Sequence, residues 1–193
     1  MGVLNDLSIR KALIRKLSTS AVKPKAIIEE LRVHNGNAIA DVVALYKDAH
    51  CYEIKGDGDK IERLNSQGSF YELSFRKVTI VTTQKHLSKT KKLVPKHWGI
   101  LLAKQDGDKI TLKYARGAKV NPNFHKHLAL LTLWKDEMLQ LLDTTKSHKT
   151  KNRDFLAKLI SQQNKKQELS ESICQTLVSR YSSTLGNQLR KDA

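Results

Sequence analysis

Asp41 and the triplet Glu53-Ile54-Lys55 are the residues of this chain whose types and spacing could do chemistry together. Residues 38–46 (AIADVVALY) have the texture of a strand, and residues 50–55 (HCYEIK) that of its hairpin partner across a turn at Lys47-Asp48-Ala49. Side chains alternate across a strand, so Glu53 and Lys55 share a face, and Asp41 meets Glu53 if the register allows it. Two carboxylates converging beside a lysine suit Mg²⁺ or Mn²⁺, hard cations that prefer oxygen ligands. Such an ion lowers the pKa of a bound water and stabilises charge on a phosphodiester, while the ammonium orients the water or neutralises developing charge. The plainer reading of the same residues is an exposed strand face with one ion pair. Position weighs against it, because Glu53 and Lys55 are expected on a central strand, where charge is costly unless paired or metal-bound.

The elements that must position these residues follow from periodicity. Residues 7–18 (LSIRKALIRKLS) read as a short amphipathic helix with Leu7, Ala12, Leu13, Ile14 and Leu17 near one face. Residues 23–32 (KPKAIIEELR) read as a second helix, with Pro24 in its first turn and Ile27, Ile28 and Leu31 at helical spacing. That helix ends on the carboxylate pair Glu29-Glu30, just before a stop at His34-Asn35-Gly36-Asn37. Beyond the hairpin, residues 59–73 resume helical spacing through Ile61, Leu64, Phe70 and Leu73. Residues 77–82 (KVTIVT) form a β-branched run typical of a strand buried on both faces. A short helix at 85–93, a buried strand at 99–103, a turn at Asp106-Gly107-Asp108 and a strand at 109–114 complete this part. After Pro122 the chain reads as helical: 127–142 with a stripe through Leu130, Leu131, Trp134, Met138 and Leu141, then about 154–167 and 171–189. The expectation is an α/β protein with a mixed central sheet flanked by helices, residues 1–118, and a basic helical C-terminal region, residues 119–193.

The charge balance points to the partner. The 193 residues carry 35 Lys+Arg against 19 Asp+Glu, a formal net charge of +16. Such an excess draws in polyanions, and neutralised phosphates release counterions, so nucleic acid is the expected partner: DNA, or RNA by the same phosphate chemistry. Lys60, Arg63, Lys146, Lys149 and Lys151 are the basic residues expected to contact phosphate; the last three could equally sit in water. No apolar run approaches the roughly 20 residues that span a bilayer, and the first residues lack a secretory signal pattern, so no membrane partner is expected. Cys51 and Cys174 match neither a zinc pattern nor a disulfide framework, which suits a reducing, cytoplasmic compartment of a bacterial or phage-infected cell. His125 and His127 flank Lys126, but at a helix start they cannot point both rings one way, and Cys174 is most simply a buried small residue.

The run Tyr52-Glu53-Ile54-Lys55, then Asp57, Asp59, Arg63-Leu64, Gln67 and Tyr71, resembles the PD-(D/E)XK nuclease superfamily, and within it a family of small bacterial and phage proteins. A looser tail matches at residues 78–81, His86, and Pro95 with Trp98-Gly99, so the resemblance covers roughly residues 25–103. It implies a restriction-endonuclease-like α-β-β-β-α-β core, with Asp41 and Glu53 as metal ligands, Glu30 (or Glu29) as the helical glutamate, and Lys55 as the catalytic lysine. Gln67 and Tyr71 match the Gln-x-x-x-Tyr pair of similar nucleases, and their i, i+4 spacing places them on one helical face; on spacing alone they equally fit a core-facing Tyr and a solvated Gln. Three positions depart from the pattern: Ile39 stands where an Arg is usual, Gly56 where Ser is common, giving a more flexible connection, and Arg76 where an acid is usual. The implied activity is Mg²⁺- or Mn²⁺-dependent hydrolysis of DNA phosphodiesters, in DNA processing or defence. Because a small nuclease often needs two active sites to cut both strands, a homodimer is among the expected partners. The alternative is a nucleic-acid-binding protein without catalysis, or a phage inhibitor protein, on a nuclease-like scaffold.

Overall fold

Six strands align side by side because their apolar side chains build two cores, one on each face of the sheet, and each face is then covered by helices. In the computed structural model, which describes residues 3–142 and 148–189, strand order in the sheet is chain order: β1 (Ala26–Val33), β2 (Ala38–Leu45), β3 (Ala49–Lys55), β4 (Lys77–Thr83), β5 (Gly99–Asp106) and β6 (Lys109–Arg116). β1, β2 and β3 form an antiparallel meander, β3, β4 and β5 run parallel, and β6 returns antiparallel to β5. The two parallel pairings need crossovers, which α2 (Leu64–Ser74) and α3 (Gln84–Leu93) supply. The protein is therefore α/β, a mixed sheet flanked by helices with a helical C-terminal region.

One face of the sheet takes α1 (Asp6–Ser18), whose buried stripe is Ile9, Leu13 and Leu17 against Val42, Ala44, Ile54 and Leu101. Leu7, expected in that stripe, is exposed instead. The other face takes α2 together with α4 (Lys126–Leu130), α5 (Lys135–Leu141), α6 (Arg153–Gln163) and α7 (Lys166–Leu189). Leu130, Leu156, Ile160 and Leu177 from these helices share one core with Ile28, Val43, Val78 and Ile80 of the sheet.

Two elements differ from the periodicity. Residues 23–32 do not make a second helix: β1 occupies Ala26–Val33 and pairs with β2. The register runs Glu29↔Val42 and then Leu31↔Ala40, and between them Glu30 is pushed to a positive φ of 53°. The register does not slip, but Glu30 and the Asp41 facing it drop out of the ladder and the alternation flips on both strands, so Ile28 and Leu31, three apart, lie in the same core as Val43 and Ala40. The flip imitates helical spacing. Residues 127–142 do not form one helix either: α4 ends at Leu130 and α5 begins at Lys135, with the Trp134 N–H donating to Glu137 Oε2 (2.7 Å). The Leu133 carbonyl freed by this break accepts from Arg153 Nη2 (2.7 Å), and Trp134 turns outward beneath the Arg180 guanidinium, 4.2 Å from its ring centroid. Both partners come from distant sequence.

The connection after β3 is clamped rather than loose. Asp57 N donates to Leu4 O (2.8 Å) while Leu4 N donates to Asp57 Oδ2 (2.9 Å), and Gly56 N donates to Asp59 Oδ2 (2.7 Å). The N-terminal segment lies so close that a Cβ on Gly56 would stand 2.6 Å from the Leu4 carbonyl oxygen. Backbone cannot yield as a side-chain tip can, so Gly56→Ala should destabilise the protein by about 1–3 kcal/mol in urea unfolding. Gly58→Ala, with open space around it, should cost less; equal losses would refute the close-approach explanation.

Candidate active site

The β2–β3 ladder runs from Leu45↔Ala49 to Val42↔Tyr52 and stops there, so the next facing residues are Asp41 and Glu53. This is the register the two carboxylates need. Beyond it the strands separate, and Asp41 Oδ2 accepts the backbone N–H of Ile54 at 2.7 Å. Glu53 and Lys55 face α2, where Lys55 Nζ donates to Glu53 Oε1 (2.7 Å) and to Gln67 Oε1 (3.4 Å). One turn along α2, the Tyr71 hydroxyl donates to the Ile39 carbonyl (2.7 Å), which ties the helix to β2 two residues before Asp41. Asp41, Glu53, Lys55, Gln67 and Tyr71 are thus brought together. Burial first, then the neighbouring Glu53, pushes the Tyr71 hydroxyl far above its ordinary range, so it stays protonated and serves as a donor.

Glu30 takes a different position from the one expected. It lies at the positive-φ interruption of the β1–β2 ladder, not at the end of a helix, and its largely exposed carboxylate accepts from Arg10 Nη1 at 3.2 Å. The same guanidinium stands 3.7 Å from Glu29, 3.6 Å from Asp41 and 2.9 Å from Asp6. Arg10 therefore lies between Glu30 and Asp41. It is the member of the candidate site that sequence reasoning missed; its only local signal is the i, i+4 spacing from Asp6. Lys60 and Arg63 are exposed just before and within the 3₁₀ turn (Ile61–Arg63) that leads into α2. Lys149 and Lys151 are exposed ahead of α6, Lys151 lying 5.1 Å from the centroid of the Phe155 ring, and Lys146 lies outside the described residues. His127 Nε2 pairs with Asp154 Oδ1 (2.8 Å) and His125 caps α4, so the two rings have separate tasks.

Electrostatics make this site uneven. Glu53 is 1% exposed, and its Oε2 has no hydrogen-bond partner among the described residues. Burial, then the charge of Glu53, raises the Asp41 carboxyl from its ordinary 3.8 to about 7, against the opposing pull of the Ile54 N–H and Lys55. A buried orphan oxygen beside a second carboxylate that is costly to ionise is the arrangement a divalent cation relieves, so the donor set fits Mg²⁺ or Mn²⁺ held by Asp41 and Glu53. Among the described residues no cluster of three or more His, Cys, Asp or Glu is placed to hold a metal. Two protein carboxylates are enough for an ion that keeps several waters and takes further oxygens from a phosphate.

Residues 3–191 match the family described as Bacteriophage P4 protein cII. Protein cII of Enterobacteria phage P4 is 30% identical over 142 residues, covering 73% of this chain and 54% of that protein, so the chain spans about half the length of the curated relative it matches. A solved structure, the SPO1766 protein of unknown function from Silicibacter pomeroyi, is similar at 17% identity and a TM-score of 0.44, over 76% of this chain and 96% of that one.

The raised Asp41 carboxyl has a measurable consequence. A carboxyl whose folded value lies above its unfolded one keeps its proton in the native state between about pH 4 and 7, and ionising it across that window costs stability, by up to about 1.4 kcal/mol per pH unit. The neutral isostere Asp41→Asn escapes this cost. Its melting temperature relative to wild type should therefore rise between pH 5 and pH 8; a difference that stays flat with pH would show that Asp41 ionises normally.

Proposed function

The chain belongs to the Bacteriophage P4 protein cII family, and we propose that it is a metal-dependent nuclease hydrolysing phosphodiester bonds of DNA. The observation that carries this reading is the convergence of Asp41 and Glu53 just past the last paired residues of β2 and β3, with Lys55 held between Glu53 and Gln67. Supporting it, the elements run α1, β1, β2, β3, α2, β4, the α-β-β-β-α-β order of the PD-(D/E)XK superfamily that the sequence resembles. Asp41 and Glu53 would hold Mg²⁺ or Mn²⁺, and the ion would supply a more acidic water and charge stabilisation at phosphorus. Lys55, a donor pinned by two acceptors, orients the attacking water or neutralises charge building on the phosphate. Tyr71 holds α2 against β2 and so positions Gln67, while Arg10 holds Asp41 from the opposite side. Lys60 and Arg63, exposed at the entrance to α2, and the lysines ahead of α6 supply the charge that draws the backbone in.

A second reading, a nucleic-acid-binding protein without catalysis, is favoured by the internal neutralisation of the site: Lys55 pairs with Glu53, and Arg10 pairs with Asp41. Incubation of plasmid, single-stranded DNA and RNA with Mg²⁺ or Mn²⁺ separates the two. Nuclease action should fall about a hundredfold or more in Glu53→Gln and in Lys55→Ala. Because removing one partner of a buried pair can unfold a protein, Glu53→Gln/Lys55→Met, which replaces both charges, should stay folded by circular dichroism yet remain inactive. Cleavage that survives these substitutions sinks the site; binding of DNA without cleavage under either metal establishes the second reading.

A further inference from the structure

On the α1 face of the sheet, at the end of β3 away from Lys55, a cleft of about 540 Å³ opens between the C-terminal end of α1 and the strand surface. Its floor is an uncharged, internally hydrogen-bonded set of side chains. The Tyr52 hydroxyl lies 3.2 Å from His50 Nδ1, His50 Nε2 lies 2.8 Å from Thr79 Oγ1, and the two rings stack at 4.3 Å. Cross-strand pairing builds this floor, because His50 faces Lys77 and Tyr52 faces Thr79 in the parallel β3–β4 register. Burial, then the charge of Lys77, lowers His50 to about 3 and keeps its ring neutral; burial, then the neighbouring Tyr114, raises the Tyr52 hydroxyl and keeps it protonated. Tyr46 and Tyr114 bring two more phenols within electrostatic reach of Tyr52, and Tyr114 leaves half of its surface in solvent.

Three lysines and one carboxylate stand at the rim. Lys16 and Lys77 line the cleft and have no acidic partner among the described residues. Lys47 is occupied by Glu171 (3.0 Å), and the rim carboxylate Asp48 is engaged by Ser170 Oγ (2.6 Å). An open aromatic face over an uncharged floor and two available ammonium groups suit a ligand with a flat ring and an anionic tail. A purely apolar ligand would leave the two ammonium groups unused, and a bare phosphate would leave the Tyr114 face unused. The volume lies within the range of small-molecule sites.

We propose that this cleft binds a nucleoside 5′-monophosphate, free or as the phosphorylated end of a nucleic-acid strand, with the base on Tyr114 and the phosphate between Lys16 and Lys77. The site is independent of the Asp41–Glu53 centre, whose Glu53 and Lys55 face α2 on the other side of the sheet.

Titration calorimetry of the full chain near physiological salt, with AMP and dTMP as probes, tests it. At least one should bind saturably, with the matching nucleoside and inorganic phosphate each about tenfold weaker or worse. Lys77→Glu and Tyr114→Leu should each weaken binding about tenfold. Lys91→Glu, an equal charge change at an exposed position of α3, should leave it unchanged. Thermal unfolding confirms that the variants are folded, and Lys16→Glu offers a second rim position if either is not. A 5′-phosphorylated oligothymidylate that displaces the nucleotide better than its 5′-hydroxyl form assigns the site to strand ends; equal failure of both assigns it to the free nucleotide. Lack of saturable binding by both probes, or equal weakening by Lys91→Glu and Lys77→Glu, overturns the proposal.

Discussion

Where the β2–β3 ladder stops, the carboxylate of Asp41 takes the N–H of Ile54 that a backbone carbonyl would otherwise accept, and the two strands separate around it. Much else depends on this exchange. A continuing ladder would satisfy Ile54 with backbone and leave Asp41 free to turn into solvent. With the carboxylate as acceptor, Asp41 is fixed beside Glu53, the end of the sheet stays open, and α2 can bring Gln67 and Tyr71 over the gap. The Tyr71 bond to the Ile39 carbonyl then satisfies a β2 acceptor close to the point where the strands separate.

The charges gathered there are held on both sides of the sheet. Lys55 enters from the α2 side to reach Glu53, and Arg10 enters from α1 to reach Asp41, with Glu29, Glu30 and Asp6 around the same guanidinium. A buried ion pair such as Glu53–Lys55 adds little stability over apolar side chains of the same size. Stability alone gives no reason to keep it in the middle of an otherwise apolar strand. Asp41 carries the remaining strain, since its carboxyl is pushed up by burial and by Glu53 despite the Ile54 N–H.

The two faces of β3 carry different chemistry because alternate residues point opposite ways. Glu53 and Lys55 look toward α2; His50 and Tyr52 look toward α1, where they meet Thr79, Tyr46 just past β2 and Tyr114 of β6. The clamp between Leu4 and Asp57 ties the segment entering α1 to the loop leaving β3, so both faces share one rigid support. The C-terminal helices complete the core on the α2 side with Leu130, Ile160 and Leu177.

Local pattern determined a large part of this. The alternation in residues 38–46 and 50–55, the β-branched run at 77–82 and the turn at Asp106-Gly107-Asp108 became β2, β3, β4 and the β5–β6 hairpin, because strand periodicity and turn chemistry are properties of neighbouring residues. The shared face of Glu53 and Lys55, and of Gln67 and Tyr71, followed from the same periods. Tertiary structure decided the rest. β1 was not legible because the interruption of its ladder at Glu30, which faces Asp41 and is held by Arg10, gave Ile28 and Leu31 a helical spacing. The break between α4 and α5 depends on Arg153 accepting a role from elsewhere in the chain. Arg10 beside Asp41, and Tyr46, Tyr52 and Tyr114 around one cleft, are meetings across strands and helices that no local window contains. Sequence by itself determined which faces the charged and aromatic side chains occupy; only the register of the sheet decided which of them meet.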